Sequence, residues 1–175
     1  HHVVTRRQRQ MCIRDSRNSV GFDWHPETKE MYFTDNGRDW MGDDIPPCEL
    51  NRVVNAGDHF GFPFIHGKNI PDTGYEAPKD FVFSQPVWEF QAHTAPLGIK
   101  FYDGESFPEY YKNGAFVAQH GSWNRSEKVG YRLLFMKMEE GDVVSADVFI
   151  DGWMSNETSW GRPVTPLILK DGSML

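Results

Sequence analysis

Carboxylates crowd one stretch of the chain, TDNGRDWMGDDIPPCELNRV at residues 34–53, which carries Asp35, Asp39, Asp43, Asp44 and Glu49. Carboxylates and backbone carbonyls at irregular spacing suit a hard, oxygen-seeking cation such as calcium, which takes about six to eight oxygens. Glycine in the same stretch lets the backbone turn its carbonyls toward an ion. The spacing is not that of an EF-hand, whose ligands alternate around a glycine at the sixth position. The competing reading is a solvated loop whose Asp side chains cap neighbouring turns, and Asp39 reads best that way. Asp43, Asp44 and Glu49 flank the stiff Pro46–Pro47 pair and are the candidates for a metal or active-site role.

A second loop, AQHGSWNRSEKVGYR, places His120, Trp123, Asn124, Arg125 and Lys128 close together. Guanidinium forks match carboxylates and indole faces stack on planar rings, so the set suits a planar polyanionic ligand. Lys128 reads as an exposed surface charge, and His120 and Arg125 as functional. His25, beside a turn proline, is expected to be exposed. His59 and His66, within the aromatic and glycine-rich GDHFGFPFIHG, are expected to be structural. There is no phosphate-cradling glycine loop, no GxSxG elbow and no HExxH.

These loops need strands to hold them. The composition favours short strands and turns, with 14% aromatics, 16 Gly and 11 Pro among 175 residues. The net charge of −7 argues against a nucleic-acid partner. No apolar run approaches the roughly 18 residues of a membrane helix. Two cysteines, Cys12 and Cys48, make neither a disulfide framework nor a zinc signature. Residues 1–16 lack periodicity, and RQMCIRDS within them resembles translated sequencing-adaptor read-through. They are set apart from the fold, which is assigned to residues 17–175. The abrupt close, LILKDGSML, reads as a strand, a turn and the start of another strand, so the chain is expected to be an internal piece of a longer protein.

The strand grammar repeats. SVGFDWHP and MYFTDN form a hairpin pattern, followed by strands at 50–54 and 86–90. PLGIKFY at 96–102 and NGAFVAQHG at 113–121 begin a second unit, completed by YRLLFMKM and VVSADVFID. A third begins at PVTPLILKDGSML, and the equivalent starts fall near Val20, Gly98 and Val164. A repeat of four short antiparallel strands is the blade of a β-propeller. The fold class is therefore all-β, about two and a half blades of such a propeller, with a loop-decorated β-sandwich as the alternative. FPEYYKNG at 107–114 is the one helix-like stretch, with Pro108 placed for a first turn, and it is short enough to be only a turn.

Several motifs in order, RNSVGFDWHPETKEMYFTDNGRDWMGDDIPPCELNRV, DHFGFPFIHG, AHTAPLGIKFY, FVAQHGSWNRSEKVGYR and WGRPVTPLILKDGSML, resemble the quinoprotein sugar dehydrogenases of the glucose/sorbosone type. The sorbosone or pyranose dehydrogenase branch is the nearer one. The resemblance implies a six-bladed propeller that uses pyrroloquinoline quinone and calcium (Ca2+) to oxidise an aldose, sorbosone or similar sugar. It implies that Arg17 and Asn18 contact the reactive quinone oxygens. It gives Gly37 and Arg38 a calcium held by their backbone carbonyls, and Glu49 a structural calcium. Arg162 would pair with a cofactor carboxylate, with His120, Trp123 and Arg125 nearby. The family's second arginine, two positions on, is Val164 here, and its lysine near the end of FVAQHG is absent.

The family's proton-abstracting histidine lies in an earlier blade, so none of the seven histidines is given that role. The implied partners are a small-molecule sugar and an external quinone or cytochrome as electron acceptor, in the periplasm or outside the cell. The other readings are a non-catalytic, calcium-stabilised propeller that binds carbohydrate or protein, and a lactonase-type hydrolase.

Overall fold

In a computed structural model, the structure describes residues 15–175, so most of the segment set apart above, residues 1–14, lies outside the described residues. Asp15 and Ser16 are engaged with the fold: Phe62 N donates to Asp15 O at 3.1 Å and Ser19 Oγ donates to Ser16 Oγ at 2.7 Å.

The first four-stranded antiparallel sheet is a meander. It runs β1 (Ser19–Trp24), β2 (Met31–Asp35) and β3 (Cys48–Val53). The chain then leaves the sheet for a small hairpin, β4 (Ile65–His66) and β5 (Ile70–Pro71), and returns as β6 (Trp88–Phe90) beside β3. The second sheet is the same meander, β7 (Pro96–Phe101), β8 (Ala115–Gln119), β9 (Arg132–Glu139) and β10 (Asp142–Ile150). A two-stranded ribbon of β11 (Met154–Ser155) and β12 (Thr158–Ser159) follows.

β2 and β8 are buried at every position, which explains why MYFT and AFVA read as continuous apolar runs. Both faces of these strands are covered. Tyr32, Leu50 and Phe90 of the first sheet pack against Ile99, Phe101, Val117, Leu134 and Met136 of the second. The alternate residues face outward. Met31, Phe33 and Val53 meet Phe60, while Phe116, Leu133 and Phe135 meet Tyr102, Phe107, Ile168 and Met174. Tyr32 ties the sheets by donating its hydroxyl to Gly141 O at 2.8 Å.

The repeat is visible at equivalent glycines in the first strand of each unit. A Cβ on Gly21 would collide with the Leu97 carbonyl and come within 2.8 Å of Gly98 Cα, and one on Gly98 would lie 2.6 Å from Thr165 Cα. Gly98 N also donates to Val164 O at 2.8 Å. Successive first strands therefore touch backbone to backbone along one line, with the sheets fanning outward. Among the described residues the third unit forms no sheet of its own: it places Val164 and Thr165 against Gly98 and closes the Ile168–Met174 bridge.

The helix-like stretch is only a turn, a single 3-10 turn at Glu109–Tyr111 with Pro108 just before it. One expectation changes. His25 is buried rather than exposed, at 6% of its surface. It lies 5.1 Å from the Phe101 ring, and its Nδ1 accepts from the N–H groups of Glu27 and Thr28. The turn that made it look exposed is what satisfies its polar atom. Among the described residues no helix is long and apolar enough to cross a membrane.

Candidate functional site

The site begins where the chain enters β1. Asp35, the last residue of β2, accepts the Arg17 N–H at 3.0 Å and the Asn18 N–H at 2.6 Å. This fixes the backbone of the Arg-Asn pair. Burial pushes the Asp35 carboxyl up to about 6 against the pull of those two N–H groups. The Arg17 fork then reaches over the loop after β2. Its Nη1 donates to Gly37 O at 2.7 Å and Asn36 O at 3.3 Å, and its Nη2 to the Asp39 carboxylate at 2.8 Å. Asp39, read as a turn-capping residue, is instead an ion-pair partner.

The far wall comes from the connection into β7. His93 and Ala95 both have left-handed φ, 66° and 50°, so the backbone bends sharply around Thr94. His93 Nε2 donates to Gly42 O at 2.7 Å, which leaves Nδ1 4.0 Å from Asp39. Arg17, Asn18, Gly37, Asp39, His93 and Trp123 line a cavity of about 230 Å³. Asn36 also lines it, and its Oδ1 is buried without a hydrogen-bond partner. An unpaired buried oxygen costs about 1–3 kcal/mol, so this atom marks a place for a donor or a cation. Cys48 lies at the same cavity, but burial raises its thiol, which makes it a poor nucleophile.

The acidic and basic loops meet above this cavity. Arg125 Nη1 donates to Asp43 O and Nη2 to Asp44 Oδ1 at 2.9 Å, while Ser126 N donates to the Asp43 carboxylate at 3.2 Å. Asp43 and Asp44 are thus spoken for by the neighbouring loop. Arg38 turns the other way and pairs with Asp72, which also accepts from His66 Nε2 at 2.8 Å. Burial works to raise the Asp72 carboxyl, but the Arg38 and His66 donors override it and hold it well below the usual carboxylate range.

Glu49 sits on β3 directly opposite Asp35. It accepts from Gly67 N at 2.6 Å and Asn51 Nδ2 at 2.9 Å, and burial pushes it up to about 7. Among the described residues no cluster of three His, Cys, Asp or Glu side chains forms a metal cage. Beside Arg17 the candidate oxygens for a cation are Gly37 O and the Asp39 carboxylate, both of which its guanidinium holds.

Of the residues singled out by sequence, Arg17, Asn18, Gly37 and Trp123 come together at the cavity. Arg125 holds its roof. His120 and Arg162 lie beyond the β7 entry. His120 donates from Nδ1 to Pro163 O at 3.1 Å, and Arg162 donates to the Tyr131 hydroxyl at 3.1 Å with its guanidinium 5.1 Å from that ring. Asn36, Asp39 and His93 were not singled out as site residues. His93 is 51 positions from its partner Gly42, a separation no local pattern carries.

Radial four-stranded meanders joined at their first strands define this chain as part of a β-propeller. The TrAA12-like family pattern matches residues 54–148, more than half of the chain, and the chain belongs to that family. It is 45% identical over 164 residues to an uncharacterized protein of Borreliella burgdorferi, covering 91% of this chain and 43% of that one. The fold matches the calcium structure of Trichoderma reesei carbohydrate-active enzymes family AA12, with a TM-score of 0.72, 21% identity and coverage of 91% of this chain and 49% of that one. It also matches the holo form of the pyranose dehydrogenase PQQ domain from Coprinopsis cinerea, with a TM-score of 0.62, 19% identity and coverage of 90% and 50%. The chain thus spans half or less of each of these relatives, and the two solved structures share its fold.

Proposed function

We propose that this chain forms part of the cofactor and cation floor of a sugar dehydrogenase that uses pyrroloquinoline quinone and calcium. The observation that carries the reading is the Arg17 guanidinium held over the Gly37 carbonyl at a cavity that Arg17, Asn18, Asn36 and Gly37 line together, with the Asn36 Oδ1 buried and unpartnered. Family membership and the fold shared with a pyranose dehydrogenase PQQ domain support it.

The donor set fits both groups. Gly37 O and the Asp39 carboxylate are hard oxygens of the kind calcium takes. Arg17, with Asn18 beside it, faces the cavity with donors suited to an anionic ligand. When bound, the quinone supplies a two-electron acceptor and calcium a Lewis acid. A cation on Gly37 O would compete with the Arg17 bond, and an Nη1 freed from it would be available to a charged ligand atom. The hold on Asp39 would keep the fork nearby. Asp35 keeps the Arg17 and Asn18 backbone in place. Trp123 lines one side of the cavity.

The reading assigns Arg38 a carbonyl role, Glu49 a structural cation, and Arg162 and His120 the outer edge of the cofactor site. It assigns no general base to residues 15–175. The sugar substrate, an external electron acceptor and a periplasmic or secreted location belong to the same proposal.

The test is equilibrium binding of pyrroloquinoline quinone to the full-length protein, followed by quinone absorbance, with calcium and then with a chelator. Saturable binding that needs calcium supports the reading. Absence of saturable binding in both conditions overturns it.

A further inference from the structure

The two meanders close differently. In the second, β9 ends at Glu139 and β10 begins at Asp142, so Glu140 and Gly141 alone make the turn. In the first, residues 54–87 stand between β3 and β6, and the β4–β5 hairpin lies among them. A blade of this chain therefore closes without such an insertion, and the insertion's role is read from what it touches.

It leaves β3 at Val53, the opposite end of the strand from Cys48 and the cavity, yet it doubles back to the cavity end. Asp35, Glu49 and Glu89 are cross-strand partners there, in one row across β2, β3 and β6. The tip of the hairpin sits on that row. Gly67 N donates to Glu49 Oε1 at 2.6 Å and Lys68 N to Glu89 Oε1 at 2.8 Å. The seat is tight: a Cβ on Gly67 would collide with Glu89 Oε1 and come within 2.8 Å of the Pro47 ring. Pro47 in turn backs the loop after β2, where a Cβ on Gly37 would lie 2.6 Å from the Pro47 carbonyl oxygen.

From this seat the hairpin reaches the loop after β2 with one charged group. Asp72, the residue after β5, has a side chain only 1% exposed. One of its oxygens takes the Arg38 guanidinium and His66 Nε2, and the other takes Gly74 N at 2.7 Å. Desolvation offsets much of the attraction in a pair of this kind, so it adds little net stability and is better suited to fixing one arrangement. Arg38 follows Gly37, whose carbonyl Arg17 already holds. Consecutive residues of the loop are thus gripped by the entry of β1 and by the insertion.

We propose that Asp72 is a positioning residue of the site: by holding the Arg38 side chain to the β4–β5 hairpin, it sets the backbone of Gly37 and Arg38, whose carbonyl oxygens the proposed function gives to calcium. The calcium half of the inference rests on that reading. Asp72 acts through Arg38 and touches neither ion nor cofactor. Partners one step out from a metal ligand commonly change metal affinity about ten- to a hundred-fold when they are removed.

The test uses the full-length protein and three substitutions. Asp72→Asn keeps the side-chain shape and an acceptor for Gly74 N, and loses the charge. Arg38→Met keeps the carbonyl and an apolar stem, and loses the fork. Asp58→Asn is the control, because its carboxylate lies in the same insertion but caps Val54 N at 3.1 Å and Asn55 N at 2.8 Å. Melting temperatures establish that each variant folds, and Arg38→Met alone carries the test if Asp72→Asn does not. Amide hydrogen exchange is read first, without metal or quinone. Exchange at Gly37, whose N–H rests on Cys48 Sγ at 3.5 Å, is expected to quicken in Asp72→Asn and Arg38→Met and to keep its wild-type rate in Asp58→Asn. The calcium concentration for half-maximal quinone binding is read second. It is expected to rise about ten-fold or more in each of the first two variants, to rise no further in the double variant, since both remove one interaction, and to stay put in Asp58→Asn.

Unchanged exchange at Gly37 overturns the proposal, whatever the protein binds. Faster exchange with an unchanged calcium requirement also overturns it, because Asp72 then serves the fold alone. So do effects of the two substitutions that add in full. Faster exchange in a protein whose wild type binds no quinone sinks the dehydrogenase reading and leaves Asp72 as the residue that sets this loop.

Discussion

Arg17 Nη1 donates to the Gly37 carbonyl at 2.7 Å, joining the entry of β1 to the loop that leaves β2. The bond sets one cationic side chain on the oxygen that the family resemblance assigns to calcium. Arg17→Ala removes the charge-assisted bonds to Gly37 and Asp39 together. Bonds of this kind contribute about 1.5–3 kcal/mol. The variant is expected to bind pyrroloquinoline quinone roughly ten- to a hundred-fold more weakly. Arg17→Lys keeps the charge but loses the fork, and is expected to fall between the two. Direct titration with the quinone checks both.

Metal dependence should divide between two places. Glu49 is buried among N–H donors, and among the described residues no cationic side chain contacts it. Calcium is expected to raise the melting temperature of the full-length protein, and Glu49→Gln to remove most of that rise without abolishing quinone binding. Thermal scans with calcium and with chelator measure it. A calcium response unchanged in Glu49→Gln would take the structural cation away from this residue.

The line of first strands leaves no room for a methyl group. Gly21→Ala and Gly98→Ala each drive a Cβ into the backbone of the next unit. Each is expected to cost about 3 kcal/mol, the upper end for overpacking, seen as lower urea midpoints or loss of soluble protein. Gly152 has a φ of 102°, and a Cβ there would meet nothing within 4 Å. Gly152→Ala is therefore strained but not crowded, and is expected to cost only about 1 kcal/mol.

His25 makes stability depend on pH. Burial lowers its pKa below the ordinary histidine value, against the attraction of Glu27 and Glu30. Its Nδ1 must stay unprotonated to accept from Glu27 N and Thr28 N. With the folded pKa below the unfolded one, the unfolded chain binds the proton more readily. The contribution is full above about pH 6.5 and is lost as pH falls through the folded value. The difference in urea midpoint between the wild type and His25→Gln is expected to shrink as pH falls below about 6.5, while Asp35 and Glu49, whose carboxyls burial raises to about 6 and about 7, push the whole profile the other way in both proteins. A difference that stays constant with pH would assign the dependence to other groups.

The strands were legible because their punctuation is local. The runs MYFTD and AFVAQ, set between turn residues, fall on β2 and β8. The unit starts read near Val20, Gly98 and Val164 hold to within a residue, with Gly21, Gly98 and Thr165 at equivalent places. The site was legible only in part. Arg17, Asn18, Gly37 and Trp123 carry motif resemblance, and all four line the cavity. Asn36, Asp39 and His93 owe their places to long-range packing: Asp39 waits on Arg17 22 positions earlier, and His93 on Gly42 51 positions earlier. His25 misled because a polar residue beside a turn proline looks exposed when its partners are the turn's own N–H groups.

The proposed function is oxidation of a sugar by the full-length protein at a quinone held with calcium. The most direct measurement follows quinone absorbance in the full-length protein, loaded with pyrroloquinoline quinone and calcium, as glucose, cellobiose and maltose are added in turn. Sugar-dependent reduction is expected, abolished by chelator pretreatment and strongly slowed by Arg17→Ala. A protein that binds the quinone yet leaves it oxidised with every sugar, or reduces it equally well without calcium, is not a calcium-dependent sugar dehydrogenase.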